Sequence, residues 1–256
     1  MRITANSNQV SAVSVIESTT ESFKEFIESI QEVRVLLNAD RKPATTLPEP
    51  GRMHDRRSLE NALCRASMLM LVAHYEGFVK SILTEFIDEI AKAKPPSRRL
   101  PDALLELYTK ERIQEIARLE ESTERVTRTR KLFTGYAALW DRDRSIDPTL
   151  LPARILARQF TNAGPDSLRR VLDLIGQFES LEKIQRHVCA SPEYFKINIP
   201  DKLKEITEKR NKIAHGDLEE KPTSPEVSKH LEFLIKIAYA VDQLVRERID
   251  YSCSLR

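Results

Sequence analysis

An all-α fold, a four-helix bundle with a helical insertion between its second and third bundle helices, is the architecture this sequence predicts. Three observations carry it. The 256 residues contain only six glycines, and long stretches are built from Leu, Ile, Ala, Glu, Lys and Arg, which favour helix over sheet. Apolar positions recur at three- and four-residue steps in four segments, two towards each end of the chain. Between these pairs, residues 97–199 are broken by loops into shorter helical pieces. A chain of this length can bury a real core, and 1–256 reads as one domain with 97–199 as a helical insert.

The first helix is expected over Val10 to Asn38, where Val13, Ile16, Phe23, Phe26, Ile27, Ile30, Val33 and Leu37 form one stripe. Pro43, Pro48 and Pro50 break it. A second helix, apolar on much of its circumference and therefore central, should run from an N-cap at Ser58 to about Lys92, before Pro95 and Pro96. The insert offers a helix from Asp102 to about Thr123, a loop over Asp141 to Pro148, a short helix near Pro152 to Phe160, and one from Asp166 to about Val188. The third bundle helix should span Asp201 to His215 and stop at Gly216, a residue suited to a left-handed C′ position. After a turn at Lys221 to Pro225, the last helix should cover Glu226 to about Ile249.

Composition narrows the functional classes. The formal charge of +2 is near neutral, so a polyanion partner has to be argued from local patches. Cys64, Cys189 and Cys253 are odd in number and form no CxxC pair, which disfavours a disulfide framework and a zinc knuckle and fits a reducing compartment. Met1 to Thr20 lacks an apolar core of signal-peptide type, and the longest uncharged apolar run, Met68 to Ala73, is too short to cross a bilayer. A cytoplasmic protein with no membrane partner is expected. No cofactor is expected either. Gly164 and Gly176 are isolated, so no phosphate-cradling loop is present, and His54, His74, His187 and His230 show no HxxxH or HExxH spacing that would suggest a metal site.

The densest chemistry lies in Arg210-Asn211-Lys212-Ile213-Ala214-His215, closed by Gly216. It combines a phosphate clamp, a proton shuttle and a helix stop, which makes it a candidate ribonuclease site. At 100° per residue, Leu203, Ile206, Ile213 and Ala214 all fall within about 60° of Arg210, inside the apolar stripe. A guanidinium there must be paired or line a cleft. Glu76 is the matching oddity on the second helix, amid Leu69, Val72, Ala73, Val79 and Leu83, and a Glu76 to Arg210 contact across the bundle is expected. Such a pair serves either to fix helix register or to support a site. His215 points about 140° away from Arg210 on a regular helix, whereas Asn211 and His215, one turn apart, share a face. A second protomer bringing its own pair to the same cleft would reunite the two functions.

These residues resemble the HEPN superfamily. Arg210 to Gly216 looks like its RxxxxH signature, and the AHYEGFVK segment, Ala73 to Lys80, followed by the RNKIAHG segment looks like the RiboL-PSP and MAE-type branch. The resemblance spans the order of elements from the first long helix to the last and matches 97–199 only loosely. It implies a HEPN-type bundle and a metal-independent endoribonuclease, acting on RNA as a homodimer with a composite active site and serving as a toxin or antiviral defence effector with an antitoxin or other partner protein. His215 would move the proton of a 2′-hydroxyl attack, Arg210 would hold the phosphate, Asn211 would orient phosphate or histidine, and Glu76 would support Arg210. The family also contains bundles that only bind RNA or protein. Toxins of the superfamily that are silenced by adenylylation usually carry a tyrosine two residues after the histidine; here that residue is Asp217, which disfavours that regulation.

One basic cluster, Arg125, Arg128, Arg130 and Lys131, contains no acidic residue and reads either as a solvated helix face or as an RNA-binding groove. Nearby Tyr136 and Trp140 could stack a base or anchor the insert.

Overall fold

The structure, a computed structural model, describes residues 19–39 and 53–254, and the side chains of 53–56 are left aside. Among the described residues there is no strand. The helices are α1 (Glu21–Ala39), α2 (Met53–Ala93), α3 (Asp102–Ala117), α4 (Ser122–Trp140), α5 (Ala153–Ala157), α6 (Pro165–Leu174), α7 (Ser180–Cys189), α8 (Ile199–Ala214) and α9 (Ser224–Cys253). Short 3-10 turns lie at 97–99, 148–150 and 192–194. No described helix is long and apolar enough to cross a membrane.

The all-α expectation holds, with α2 at the centre. It packs against α1, α9, α8 and α5, and Met68, Leu71, Tyr75, Ile82, Leu83, Phe86 and Ile90 along it are fully buried. Phe23 and Phe26 of α1 meet Tyr75 and Phe78 of α2 through tilted and edge-on ring contacts, 5.2 to 6.5 Å between centroids, an arrangement that aromatic quadrupoles favour. The start of α1 is tied to the far end of the chain. Thr20 donates its backbone N–H and its hydroxyl to Asp242 Oδ1 at 3.0 and 2.6 Å, and Asp242 is fully buried on α9.

Several boundaries differ from the sequence reading. Val10 to Ser18 of the expected first helix lie outside the described residues. Ser58 is not an N-cap but lies inside α2, which begins at Met53. The expected helix from Asp102 ends at Ala117, and a separate α4 follows after 118–121. The Asp166 to Val188 segment is two helices, because Gly176 adopts φ +85° and Glu179 φ +53° between them. Conformations with positive φ cannot continue a right-handed helix. The last helix starts at Ser224 under a capping box from Thr223 and Glu226, so Ser224 and Pro225 belong to its first turn.

The segment 97–199 divides into two structural parts. Helices α3 and α4 pair as a hairpin, whereas α6 and α7 pack against α8, and α7 also against α9. Leu168, Val171, Leu172, Ile184 and Val188 are buried in the same apolar cluster as α1, α2 and α9.

Candidate functional site

The site grows from the end of α8. Asn198 caps its start, accepting the Asp201 N–H at 3.1 Å, and Leu203, Ile206 and Ile213 bury its inner face. At the other end the N–H of Gly216 bonds Ile213 O at 3.1 Å and that of Asp217 bonds Lys212 O at 3.0 Å, with Gly216 at φ +84°. This is a Schellman closure, which needs a left-handed residue at C′. His215 is the C-cap, its N–H still bonded to Asn211 O at 2.9 Å. The helix is therefore regular through the whole Arg210 to His215 interval, and the angular separation expected from the spacing persists. Arg65 of α2 fixes the chain beyond, donating to the carbonyls of Asp217 and, at 2.7 Å, Glu220.

Arg210 and Glu76 meet as expected: Nη2 donates to Glu76 Oε1 at 2.6 Å. Their side chains keep 25% and 17% of their accessible surface, so the pair lies at the margin of the apolar stripe rather than within it. The same Glu76 oxygen accepts the backbone N–H of Ala163 at 3.1 Å. Ala163 belongs to the loop before α6, so that loop helps orient Glu76. A second guanidinium nitrogen, Nη1, donates to Asn211 Oδ1 at 3.1 Å. The remaining N–H groups of Arg210 stay available to an anion. Asn211 and His215 are exposed one turn apart, and the His215 ring has no hydrogen-bonding partner among the described residues. The arrangement offers a braced cation, a polar amide and a solvent-facing imidazole at one helix end.

The basic cluster is not part of this site. Arg125, Arg128, Arg130 and Lys131 are exposed on α4, and among the described residues none of them bonds to α2 or α8. Arg125 donates to Leu119 O at 3.0 Å, and Arg128 pairs with Glu124 one turn earlier at 2.7 Å, so an acidic partner does accompany the cluster. Tyr136 is buried with its hydroxyl donating to Tyr108 O at 3.3 Å, and Trp140 Nε1 donates to Thr109 Oγ1 at 3.1 Å. Both bonds anchor α4 on α3.

The sequence reading missed the brace from Ala163 and the clamp from Arg65, because both act through backbone groups of loops. It also passed over a cluster of Glu205, Glu226 and His230, whose ligand atoms lie within 4.8 Å of one another. The signal was present as the i, i+4 pair Glu226 and His230.

Comparison with protein-family models matches residues 24–247 to the family described as RiboL-PSP-HEPN. No curated protein and no solved structure matches the chain.

Proposed function

Because this chain belongs to the RiboL-PSP-HEPN family, we propose that it is an endoribonuclease that cuts RNA by attack of the 2′-hydroxyl, with no metal ion in the reaction, and that Arg210, Asn211 and His215 carry the chemistry. The observation that carries the reading is the pairing of a guanidinium braced by Glu76 at 2.6 Å with an exposed, unencumbered imidazole at the end of the same helix. A planar, permanently charged fork suits the phosphate oxygens, where charge builds in the transition state. Histidine suits proton transfer near neutral pH.

In the proposed step the 2′-oxygen attacks the adjacent phosphorus while one histidine takes its proton. The bond from phosphorus to the 5′-oxygen breaks, and a second histidine returns a proton to that leaving oxygen. The products are a 2′,3′-cyclic phosphate and a free 5′-hydroxyl. Arg210 and His215 point about 140° apart on regular helix, and the helix is regular here, so the second histidine is assigned to a second protomer facing the first. Asn211, bonded to Arg210 and one turn from His215, positions the two groups relative to each other. The exposed arginines and lysine of α4 serve this reading only as a remote surface for RNA. An activity of this kind suits a toxin or defence effector restrained by a partner protein.

Purified protein incubated with RNA in EDTA tests the proposal. Cleavage leaving cyclic phosphate ends is expected, with resistance of a substrate carrying deoxyribose at the scissile position. Binding of RNA without cleavage would replace it with a non-catalytic bundle, and cutting of the deoxy substrate at the same place would end the 2′-hydroxyl mechanism.

A further inference from the structure

His230 is the least explained polar side chain among the described residues. Only 1% of its surface is exposed, and neither ring nitrogen has a hydrogen-bond partner. Leaving such atoms unsatisfied is costly, so a buried imidazole in this state invites a ligand. Its Nε2 is directed at two carboxylates, 3.8 Å from Glu226 Oε1 and 3.9 Å from Glu205 Oε1.

Glu205 comes from α8, and Glu226 sits one turn before His230 on α9. The other Glu226 oxygen, Oε2, is turned back to the N–H of Thr223 in the capping box, at 3.5 Å, which fixes Oε1 towards the histidine. Two lysines balance the two carboxylates: Lys202 Nζ lies 2.8 and 2.9 Å from the Glu205 oxygens, and Lys209 bonds Glu226 Oε1. Neither ammonium gives the imidazole a partner. Burial, and after it the nearby Lys202, disfavours protonation of the ring.

We propose that Glu205, Glu226 and His230 form a binding site for a divalent transition metal of the Zn²⁺ class, which links α8 to the first turns of α9. Imidazole with carboxylate oxygen is a donor set such ions accept. Bonds of about 2.0 to 2.2 Å put neighbouring tetrahedral ligand atoms about 3.4 Å apart, so each Nε2 to oxygen gap has to close by about half an ångström and the gap between the two carboxylates, within 4.8 Å, by at most about 1.4 Å. The ion takes over the charge that Lys209 balances in its absence, which makes Lys209 a competitor for the site. The site does not depend on the ribonuclease reading, since the metal touches none of the residues assigned to the reaction and the lysines neutralise the carboxylates without it.

The test is calorimetric titration of the metal-stripped, full-length protein with ZnCl₂, together with the visible spectrum of the Co²⁺ form. One ion per chain is expected, with a cobalt spectrum of low coordination number. Zinc at about one hundred times its dissociation constant should raise the melting temperature by roughly 5 °C. Glu205→Gln, a partly exposed change that leaves the core intact, should weaken binding at least tenfold. Lys209→Met should strengthen it. Absence of saturable binding, or zinc affinity unchanged in both Glu205→Gln and His230→Asn, would overturn the proposal, and so would a Lys209→Met variant that binds more weakly than wild type.

Discussion

Glu76 and Arg210 lie 134 residues apart in sequence and 2.6 Å apart in space, joined by one charge-assisted hydrogen bond across the bundle. Each is partly open to water, at 17% and 25% of its surface, which places the pair between the exposed class, worth about 0 to 1 kcal/mol, and the buried class, whose loss costs about 3 to 5 kcal/mol. Arg210→Ala should therefore lose RNA cleavage and also roughly 1 to 3 kcal/mol of stability. A double-mutant cycle with Glu76→Ala, read by urea unfolding, should return a coupling of about 1 kcal/mol. Additive single effects would show that the contact contributes nothing.

His215→Ala should behave differently. The ring is exposed and bonds to no described residue, so its removal leaves no cavity and unfolding should be unchanged within about 0.5 kcal/mol. Cleavage should drop by about a hundredfold or more, the usual contribution of a positioned acid or base. Excess His215→Ala chains mixed into wild type should lower activity more steeply than dilution. A variant as active as wild type would remove the histidine from the mechanism.

Gly216 tests the helix end that carries His215. Its φ of +84° is left-handed, and a Cβ added there would meet nothing within 4 Å, so the penalty of Gly216→Ala is purely conformational, about 1 to 2 kcal/mol. Amide exchange should show fraying confined to the last turn of α8 and the Arg65-bound loop. Gly216→Asn should recover part of the loss, because asparagine tolerates this conformation. Equal destabilisation by Ala and Asn would contradict the assignment.

His230 makes stability depend on pH. Its folded pKa, about 4, is depressed by burial below the ordinary 6.5, so the unfolded chain binds the proton more tightly. Its contribution is full above about pH 6.5 and is lost progressively as pH falls towards 4. The expected loss is on the order of 3 kcal/mol. In metal-stripped protein, unfolding free energies of wild type and His230→Asn should diverge at pH 7 relative to pH 4.5. Parallel pH curves would show that the histidine does not titrate in this way.

The sequence made the long elements and the central pairing readable for one reason: helical period. Phe23 to Leu37, Leu63 to Ile90 and Val227 to Val245 repeat their apolar positions, and the same angular arithmetic put Glu76 opposite Arg210. The breaks within 97–199 were hidden. Residues 118–121 contain neither proline nor glycine, so nothing local separates α3 from α4, and α4, with only Tyr136 and Leu139 buried, offers little periodicity. Gly176 was visible as a glycine, but its left-handed φ depends on the packing of α6 against α7. Ala163 donates its main-chain N–H to Glu76, and the Arg65 guanidinium donates to main-chain carbonyls, so no pairing of side chains marks either bond. His230 has no histidine at metal-binding spacing, and its neighbours Glu205 and Glu226 are glutamates, one of them on another helix.

The bond between Thr20 and Asp242 spans 222 positions, and it bears on how the protein is made. A ribosome adds about 5 to 20 residues per second, so α1 and α2 wait on the order of 10 seconds or more for the α9 segment that covers them. Throughout that interval Phe23 lacks Tyr239, the ring that α9 brings against it, and has only Phe26 and Phe78 of the α1–α2 pair for cover. A nascent chain of this topology is a natural client for chaperones that hold apolar hairpins, and stalling translation before residue 242 should leave it bound to them.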